Sequence, residues 1–162
     1  MPDGPAGAPA PGRSDPLLVV GFDYGTRRIG VAAGDSLTGA ARPVGVVAVS
    51  GGGPDWAALA RCVRGVGPQV LVVGVPYNMD GTPAPLTGVA LGFAAELARR
   101  FGLEVVTVDE RLSSREAEDI LRRQRAAGVR SRRVRHGDVD SAAACVLVEQ
   151  WLRGRARAPA SQ

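Results

Sequence analysis

The sequence has no lysine, a single histidine and only two cysteines, and these shortages exclude several kinds of protein. One histidine, His136, leaves no multi-histidine metal site and no evident Ser-His-Asp triad. Cys62 and Cys145 lie among apolar neighbours without metal-ligand spacing, which predicts buried, reduced thiols in a cytoplasmic protein. The longest uncharged stretches contain Gly and Pro and fall short of the roughly 20 apolar residues that span a membrane, so we expect no membrane partner.

Length and composition favour one globular domain. The chain has 162 residues, of which 45% are hydrophobic and 22% charged, as is typical of a protein that buries a single core. Residues 1–15 are rich in Pro, Gly and Ala, and residues 154–162 are similar, so both segments are predicted to be disordered tails. The domain is therefore expected over residues 16–153.

Positive charge is concentrated in the last third of the chain. Residues 1–110 contain eight Arg against ten acids, whereas residues 111–162 contain twelve Arg against six acids. Seven Arg fall within residues 122–135, and no acid lies among them. A block of this kind indicates a polyanionic partner, with a solvated loop that binds nothing as the alternative.

The hydrophobic pattern predicts five strands and four helices. The strands are expected over residues 17–24, 28–33, 44–49, 70–75 and 103–108, and the helices over 55–66, 86–101, 113–125 and from Asp138 or Asp140 to about 153. Three strands in an antiparallel meander, followed by two strands with helical crossovers, form a five-stranded mixed sheet flanked by helices. This α/β pattern is typical of the ribonuclease H-like fold.

Carboxylates interrupt the apolar pattern at three places. Asp23 falls near the end of the first buried strand, Asp109 and Glu110 follow the last strand, and Asp138 and Asp140 lie where the final helix is expected to begin. Each of these acids, taken alone, is also explained by an ordinary strand end or helix cap. Together they can converge beside a sheet, and carboxylates without nearby His or Cys suit Mg²⁺ or Mn²⁺. Two such ions can clamp the attacking and leaving oxygens of a phosphodiester.

Four stretches of the chain resemble, in order, the motifs of the YqgF (RuvX-like) family. They are VGFDYGTRRIGVA at residues 20–32, VGVPYNMDG at 73–81, VDERLSSREA at 108–117 and DSAAA at 140–144. The resemblance covers about residues 17–153 and implies a metal-dependent nuclease with a ribonuclease H-like fold. It implies Asp23, Glu110 and Asp140 as catalytic residues and as ligands of two Mg²⁺ or Mn²⁺ ions. Asp138, two residues before Asp140, leaves open which of these two acids completes the site.

The resemblance also implies a nucleic-acid substrate of one of two kinds. The family is associated with maturation of the 5′ end of pre-16S rRNA and with resolution of Holliday junctions, so precursor rRNA and branched DNA are both candidates. The ribosome is a further candidate partner, and the chain is expected to be a monomer or a homodimer. The residues expected to bind substrate are Arg27, Asn78, Arg111, Arg130, Arg132 and Arg133.

Two other classes of protein fit part of the sequence. Residues 23–26 (DYGT) resemble the phosphate loop of actin-like ATPases, but those proteins close two lobes around a nucleotide and this chain is long enough for one. A non-catalytic RNA- or ribosome-binding module would account for the Arg block equally well. The set of acids favours catalysis, because a protein that only binds a phosphate backbone has no use for carboxylates beside it.

Overall fold

The structure is a computed structural model that describes residues 16–112 and 136–157, with the side chains of residues 16–111 and 141–156. These residues form one mixed sheet with helices on both faces. The strands are β1 (Leu18–Tyr24), β2 (Arg28–Asp35), β3 (Ala41–Ser50), β4 (Gly53–Pro54), β5 (Val70–Val75) and β6 (Glu104–Asp109). The helices are α1 (Trp56–Val66), α2 (Thr87–Phe101) and α3 (His136–Arg157), and a 3-10 turn covers Glu110–Leu112.

The strand order across the sheet is β4-β3-β2-β1-β5-β6. β1 pairs antiparallel with β2 and parallel with β5, and β5 pairs parallel with β6. The carboxyl ends of the three parallel strands, at Tyr24, Val75 and Asp109, therefore lie at one edge of the sheet, called the carboxyl edge below. Ligands of open α/β sheets bind at this kind of edge.

Alternation along the strands divides the core between the two faces of the sheet. Val20 and Phe22 face α1 and α2, where Phe22 contacts Phe93 edge-to-face with ring centroids 5.6 Å apart. Val19 and Val72 face α3 and pack with Val148. Within the described ranges, no helix has the length and apolar character that a membrane crossing requires.

The ribonuclease H-like arrangement predicted from the order of elements is observed, with several differences in extent. β2 continues to Asp35, beyond the predicted 28–33, and β3 runs from Ala41 to Ser50, beyond the predicted 44–49. The sheet has a sixth strand, the two-residue β4, which a Gly-Pro pair in a turn-rich stretch does not reveal in sequence. α3 begins at His136, before the expected Asp138 or Asp140, and continues to Arg157 instead of ending near residue 153. Its extra turn includes Arg155, whose guanidinium lies 5.6 Å from the ring centre of Trp151 one turn earlier.

Other predictions from the sequence lie outside the described residues. These are the helix over 113–125, the tail 1–15 and residues 158–162 of the tail predicted over 154–162, whose residues 154–157 belong to α3. They stay predictions.

α3 packs directly on the backbone of the sheet because three positions beneath it are glycine. A Cβ on Gly21 would lie 2.3 Å from Val148 Cγ2, and one on Gly34 would lie 2.6 Å from Val148 Cγ1. A Cβ on Gly74 would lie 2.5 Å from Leu147 Cδ1. Real side chains do not approach so closely, so the separation of helix and sheet depends on these glycines.

Gly21→Ala is expected to lower the free energy of unfolding by about 1–3 kcal/mol, because the added methyl overpacks the contact with Val148. Gly45→Ala is the matched control, since Gly45 also lies in a strand but a Cβ there meets nothing within 4 Å. The control should be neutral or stabilising by roughly 0.5–1 kcal/mol. Urea denaturation of the two variants measures the difference, and equal stabilities would contradict the close packing of α3.

Candidate active site

Asp23 lies on β1 at the carboxyl edge, on the face that α3 covers. Its neighbours in register are Gly30 on β2 and Gly74 on β5. Neither neighbour has a side chain, and the position that a Cβ would take on Gly74 is bordered by Leu147 and by the Glu110 carboxylate. Asp23 is partly buried, in a strand whose other members from Val19 onward are buried. Burying a carboxylate costs free energy that pairing or a bound cation offsets.

Glu110 reaches the same place from β6. It is the first residue of the 3-10 turn that follows the strand. Its Oε1 lies 3.4 Å from the position that a Cβ would take on Gly74. Gly74 is the register neighbour of Asp23, so the structure brings the two predicted catalytic acids to adjacent positions of the sheet.

Asp140 belongs to the first turns of α3, and the path of that helix gives its approximate place. The next residue, Ser141, donates a hydrogen bond from Oγ to the Gly45 carbonyl at 3.2 Å. Further along the helix, Leu152 Cδ1 lies 3.4 Å from the position that a Cβ would take on Gly34. Gly34 pairs with Val19 near the start of β1, so the helix begins at the carboxyl edge and runs away from it. The side chain of Asp140 is outside the described part of the structure, and its role as third ligand stays a prediction.

Arg111 is engaged with the acid two residues before it. Its Nε lies 3.1 Å and 3.0 Å from the two carboxylate oxygens of Asp109, and its Nη2 donates to Asp109 Oδ2 at 2.5 Å. The Arg111 side chain, and then its backbone N–H, hold the pKa of Asp109 below its usual value. Pairing with a neighbouring acid is the ordinary alternative to a substrate role for Arg111. To bind a substrate phosphate, Arg111 would have to release the Asp109 carboxylate.

The loop of residues 77–83, called the Met79 loop, follows β5 at the carboxyl edge. Asn78 was expected to bind substrate, and its Nδ2 donates to Thr82 Oγ1 at 2.9 Å and to the Pro83 carbonyl at 3.1 Å. Asp80 Oδ1 accepts from the Thr82 hydroxyl at 2.6 Å, and this bond lowers the pKa of Asp80. The described contacts of Asn78 and Asp80 thus shape the loop.

The remaining predicted substrate residues are all arginines. Arg27 is exposed in the turn between β1 and β2, four residues after Asp23 and at the same edge of the sheet. Its backbone carbonyl accepts a hydrogen bond from Val49 at 2.8 Å, which fixes the turn against β3. Arg130, Arg132 and Arg133 lie outside the described residues.

Two features of the site were not predicted from the sequence. Gly74 was seen only as part of a motif, although a glycine inside a buried apolar strand is a known signal of close approach by another group. A cleft of about 360 Å³ opens beside Arg111 and Asp109, with Tyr77, Gly81 and Thr107 among its lining residues. It depends on contacts between the Met79 loop and β6, which are distant in sequence.

The two described acids fit a hard divalent cation. Carboxylate oxygens are the donors that Mg²⁺ and Mn²⁺ prefer, and the Glu110 carboxylate reaches Gly74, the register neighbour of Asp23. The side chains that the structure describes contain no group of three or more His, Cys, Asp or Glu able to hold a metal. The third predicted acid, Asp140, is not among those side chains.

Two solved structures share the architecture of this chain. Thermus thermophilus RuvC, solved with a Holliday junction substrate, matches with a TM-score of 0.56 at 18% identity, covering 87% of this chain and 97% of that one. The Fowlpox virus resolvase, solved with Holliday junction DNA, matches with a TM-score of 0.54 at 11% identity, covering 86% and 99%. At these identities the likeness concerns the fold, which is the ribonuclease H-like fold predicted from the sequence.

Sequence comparison identifies the family of the chain. The family described as RuvX, Holliday junction resolvase, matches residues 17–154, and the chain belongs to this family. A protein of Azotobacter vinelandii, described as a proposed pre-16S rRNA nuclease, is 46% identical over 143 residues, which are 88% of this chain and 97% of that protein. A protein of Edwardsiella ictaluri with the same description is 41% identical over 143 residues, covering 88% and 99%. The predicted family and its nuclease class are confirmed.

Asp23→Asn tests whether the paired acids form a cation site. Without a cation, Asp23 and Glu110 repel each other, so the variant should melt at the same temperature as the parent or higher. With Mn²⁺, the parent should gain stability by mass action, about 2.7 kcal/mol at a hundredfold excess over Kd, and the variant should gain almost none. Thermal melts with and without Mn²⁺ measure both effects.

Glu104→Gln is the matched control for that experiment, because Glu104 is an exposed acid at the opposite end of β6. It should keep the full stabilisation by Mn²⁺. If Asp23→Asn unfolds the protein, or keeps the Mn²⁺ effect, then Asp23 is a structural acid and the cation site is wrong.

Proposed function

We propose that this chain is a metal-dependent endonuclease that hydrolyses a phosphodiester in the 5′ leader of pre-16S rRNA. The observation that carries the proposal is the meeting of Asp23 and Glu110 at Gly74 on the carboxyl edge. Carboxylates that lie close together from different elements are the donor set that a hard divalent cation prefers. A cation held in this way can activate water for hydrolysis of a phosphodiester.

In this proposal Asp23, Glu110 and Asp140 hold Mg²⁺ or Mn²⁺, and two ions are expected. The bound ions supply an activated water and stabilise the charge on the leaving oxygen. The chain positions the ions: β1 carries Asp23 in register with Gly74, the 3-10 turn directs Glu110 over that glycine, and α3 begins at the same edge. Arg27, exposed beside them, is placed to contact a neighbouring phosphate.

Precursor rRNA is the substrate we favour. Relatives with 41% and 46% identity over 88% of the chain are described as proposed pre-16S rRNA nucleases. The block of seven Arg in residues 122–135 is suited to a polyanion and lies in sequence between Glu110 and Asp140. With this substrate the protein would work in the cytoplasm, in contact with precursor ribosomal particles.

Holliday junction resolution is the second candidate. The description of the family favours it, as do the junction substrates bound in two solved structures with this fold. Both activities require the same acids and cations, so the site does not distinguish between them. The substrate is decided by an assay that offers a pre-16S rRNA 5′ leader and a four-way DNA junction side by side, with Mg²⁺, Mn²⁺ or EDTA.

Loss of an acid should remove cleavage without unfolding the protein. Glu110→Gln and Asp140→Asn are each expected to lower the rate at saturating Mn²⁺ by about a thousandfold or more, because each removes charge that stabilises the transition state. Initial rates on the preferred substrate give the effect, and circular dichroism checks the fold.

The matched controls are Glu104→Gln, on the same strand as Glu110, and Asp138→Asn, on the same helix as Asp140. Both should keep most of the activity. An inactive Asp138→Asn with an active Asp140→Asn would mean that the third acid is residue 138. A protein that binds RNA and cleaves neither substrate would instead be a binding module.

The Arg block should contribute to affinity by neutralising phosphates. Replacing Arg130, Arg132 and Arg133 together with Ala is expected to weaken binding to many sequences alike. A plot of log K against log salt concentration has a negative slope, and this slope should become less steep by about 0.7–0.9 for each phosphate that the variant no longer neutralises. Binding isotherms over a range of salt measure the slope, with Arg42→Ala, exposed on β3, as the control. An unchanged slope in the triple variant would mean that the segment does not touch the phosphate backbone.

A further inference from the structure

Met79 is the most exposed large apolar residue in the described part of the chain, at 86% of its full surface. It lies in the loop that leaves the carboxyl edge after β5. Single apolar residues on a surface are common and need no function. What distinguishes Met79 is the rigidity of the loop beneath it and the residue to which that loop is attached.

Hydrogen bonds on both sides of Met79 hold its loop. An antiparallel bridge joins the two ends of the loop. The Asn78 N–H donates to the Thr82 carbonyl at 2.9 Å, and the Gly81 N–H donates back to the Asn78 carbonyl at 2.8 Å. Gly81 has a φ of 90°, which permits this tight return of the chain. The backbone of Met79 is therefore held in place, so the loop has little backbone entropy to lose when its side chain binds.

The loop is attached to the turn that carries a catalytic acid. Arg111 Nη1 donates to the Met79 carbonyl at 3.4 Å, and the guanidinium lies 5.8 Å from the ring centre of Tyr77. The same guanidinium is bound to Asp109. Glu110 lies between Asp109 and Arg111, so the backbone of Met79 and the Glu110 turn are held by one side chain. Met79 is thus attached at the same edge of the sheet as the acids, next to the turn that carries Glu110.

We propose that Met79 is a wedge that inserts between two stacked bases next to the cleaved phosphate, and so opens the strand at the acids. Apolar side chains, Met among them, unstack base steps in this way in nucleic-acid complexes. The long, unbranched thioether adapts to either face of a base. Aromatic residues, the usual stacking groups, are only 4% of the chain; Phe22 and Phe93 are buried in the core, and Tyr77 in this loop is partly buried beside Arg111.

The proposal rests on nucleic-acid binding under the proposed function, and base unstacking tests it separately from cleavage. The probe is an RNA hairpin with the 5′ leader of 16S rRNA, carrying 2-aminopurine in turn at each adenine of the leader. Asp23→Asn protein keeps the RNA uncut. Binding should raise the fluorescence at one step, Met79→Ala should abolish the rise and weaken binding about tenfold, and Met79→Leu should keep most of it.

Leu37→Ala is the matched control, because Leu37 is also exposed, at 79%, but lies in the turn after β2 at the opposite end of the sheet. It should leave the fluorescence and the affinity unchanged. Met79→Ala and Leu37→Ala should both melt like the parent, since neither side chain packs in the core.

Cleavage by the protein with Asp23 intact separates the two ideas. Met79→Ala should slow cleavage of the paired RNA and not of the same RNA with an abasic site at the unstacked step. If the parent protein cleaves its substrate and Met79→Ala alters neither fluorescence nor cleavage on the RNA or on a four-way junction, the wedge is wrong and the nuclease proposal stands. If nothing is cleaved but the signal depends on Met79, the wedge stands and the nuclease proposal fails. A four-way junction labelled near its crossover is the second probe, and a Met79-dependent signal on neither probe overturns the wedge.

Discussion

The close packing of α3 on the sheet is the constraint on which the site depends. Gly21, Gly34 and Gly74 have no side chains, so Val148 and Leu147 rest on strand backbone. The helix therefore lies close to the sheet backbone, and it starts near the end of β1 that carries Asp23. Gly74 has a second role, since the space that a Cβ would take also borders the Glu110 carboxylate. One glycine thus serves both the packing of the helix and the placing of an acid.

The partly buried Asp23 is a polar group in an otherwise apolar strand, and the hydrophobic core lies on the other face of the sheet. Asp23 interrupts a buried strand, while the other face of the sheet packs Phe22 against Phe93 with Leu59 and Leu97 fully buried nearby. Proteins commonly accept local conflicts of this kind at functional sites and offset them elsewhere. A cation would remove the conflict, which is why the stability of the protein and its activity are both expected to respond to metal.

The edge also joins segments that are far apart in the chain. Asp23 comes from β1, the Met79 loop from β5, Glu110 from β6 and the first turn of α3 from beyond residue 135. Arg111 connects two of them, through its ion pair with Asp109 and its hydrogen bond to Met79. Because parallel strands end at the same edge, short loops after each of them suffice to assemble the site.

Local pattern determined much of this protein. The apolar runs predicted β1, β5 and β6 within one residue, Gly102 marked the end of α2, and four motifs identified the family and two acids that the fold brings together. The two-residue β4, the first turn of α3 and the bonds of Asn78 within its loop were decided only by the tertiary structure. The physical reason is range: periodicity and capping act within a few residues, whereas the meeting of Glu110, Gly74 and Leu147 requires a strand, a turn and a helix to pack first.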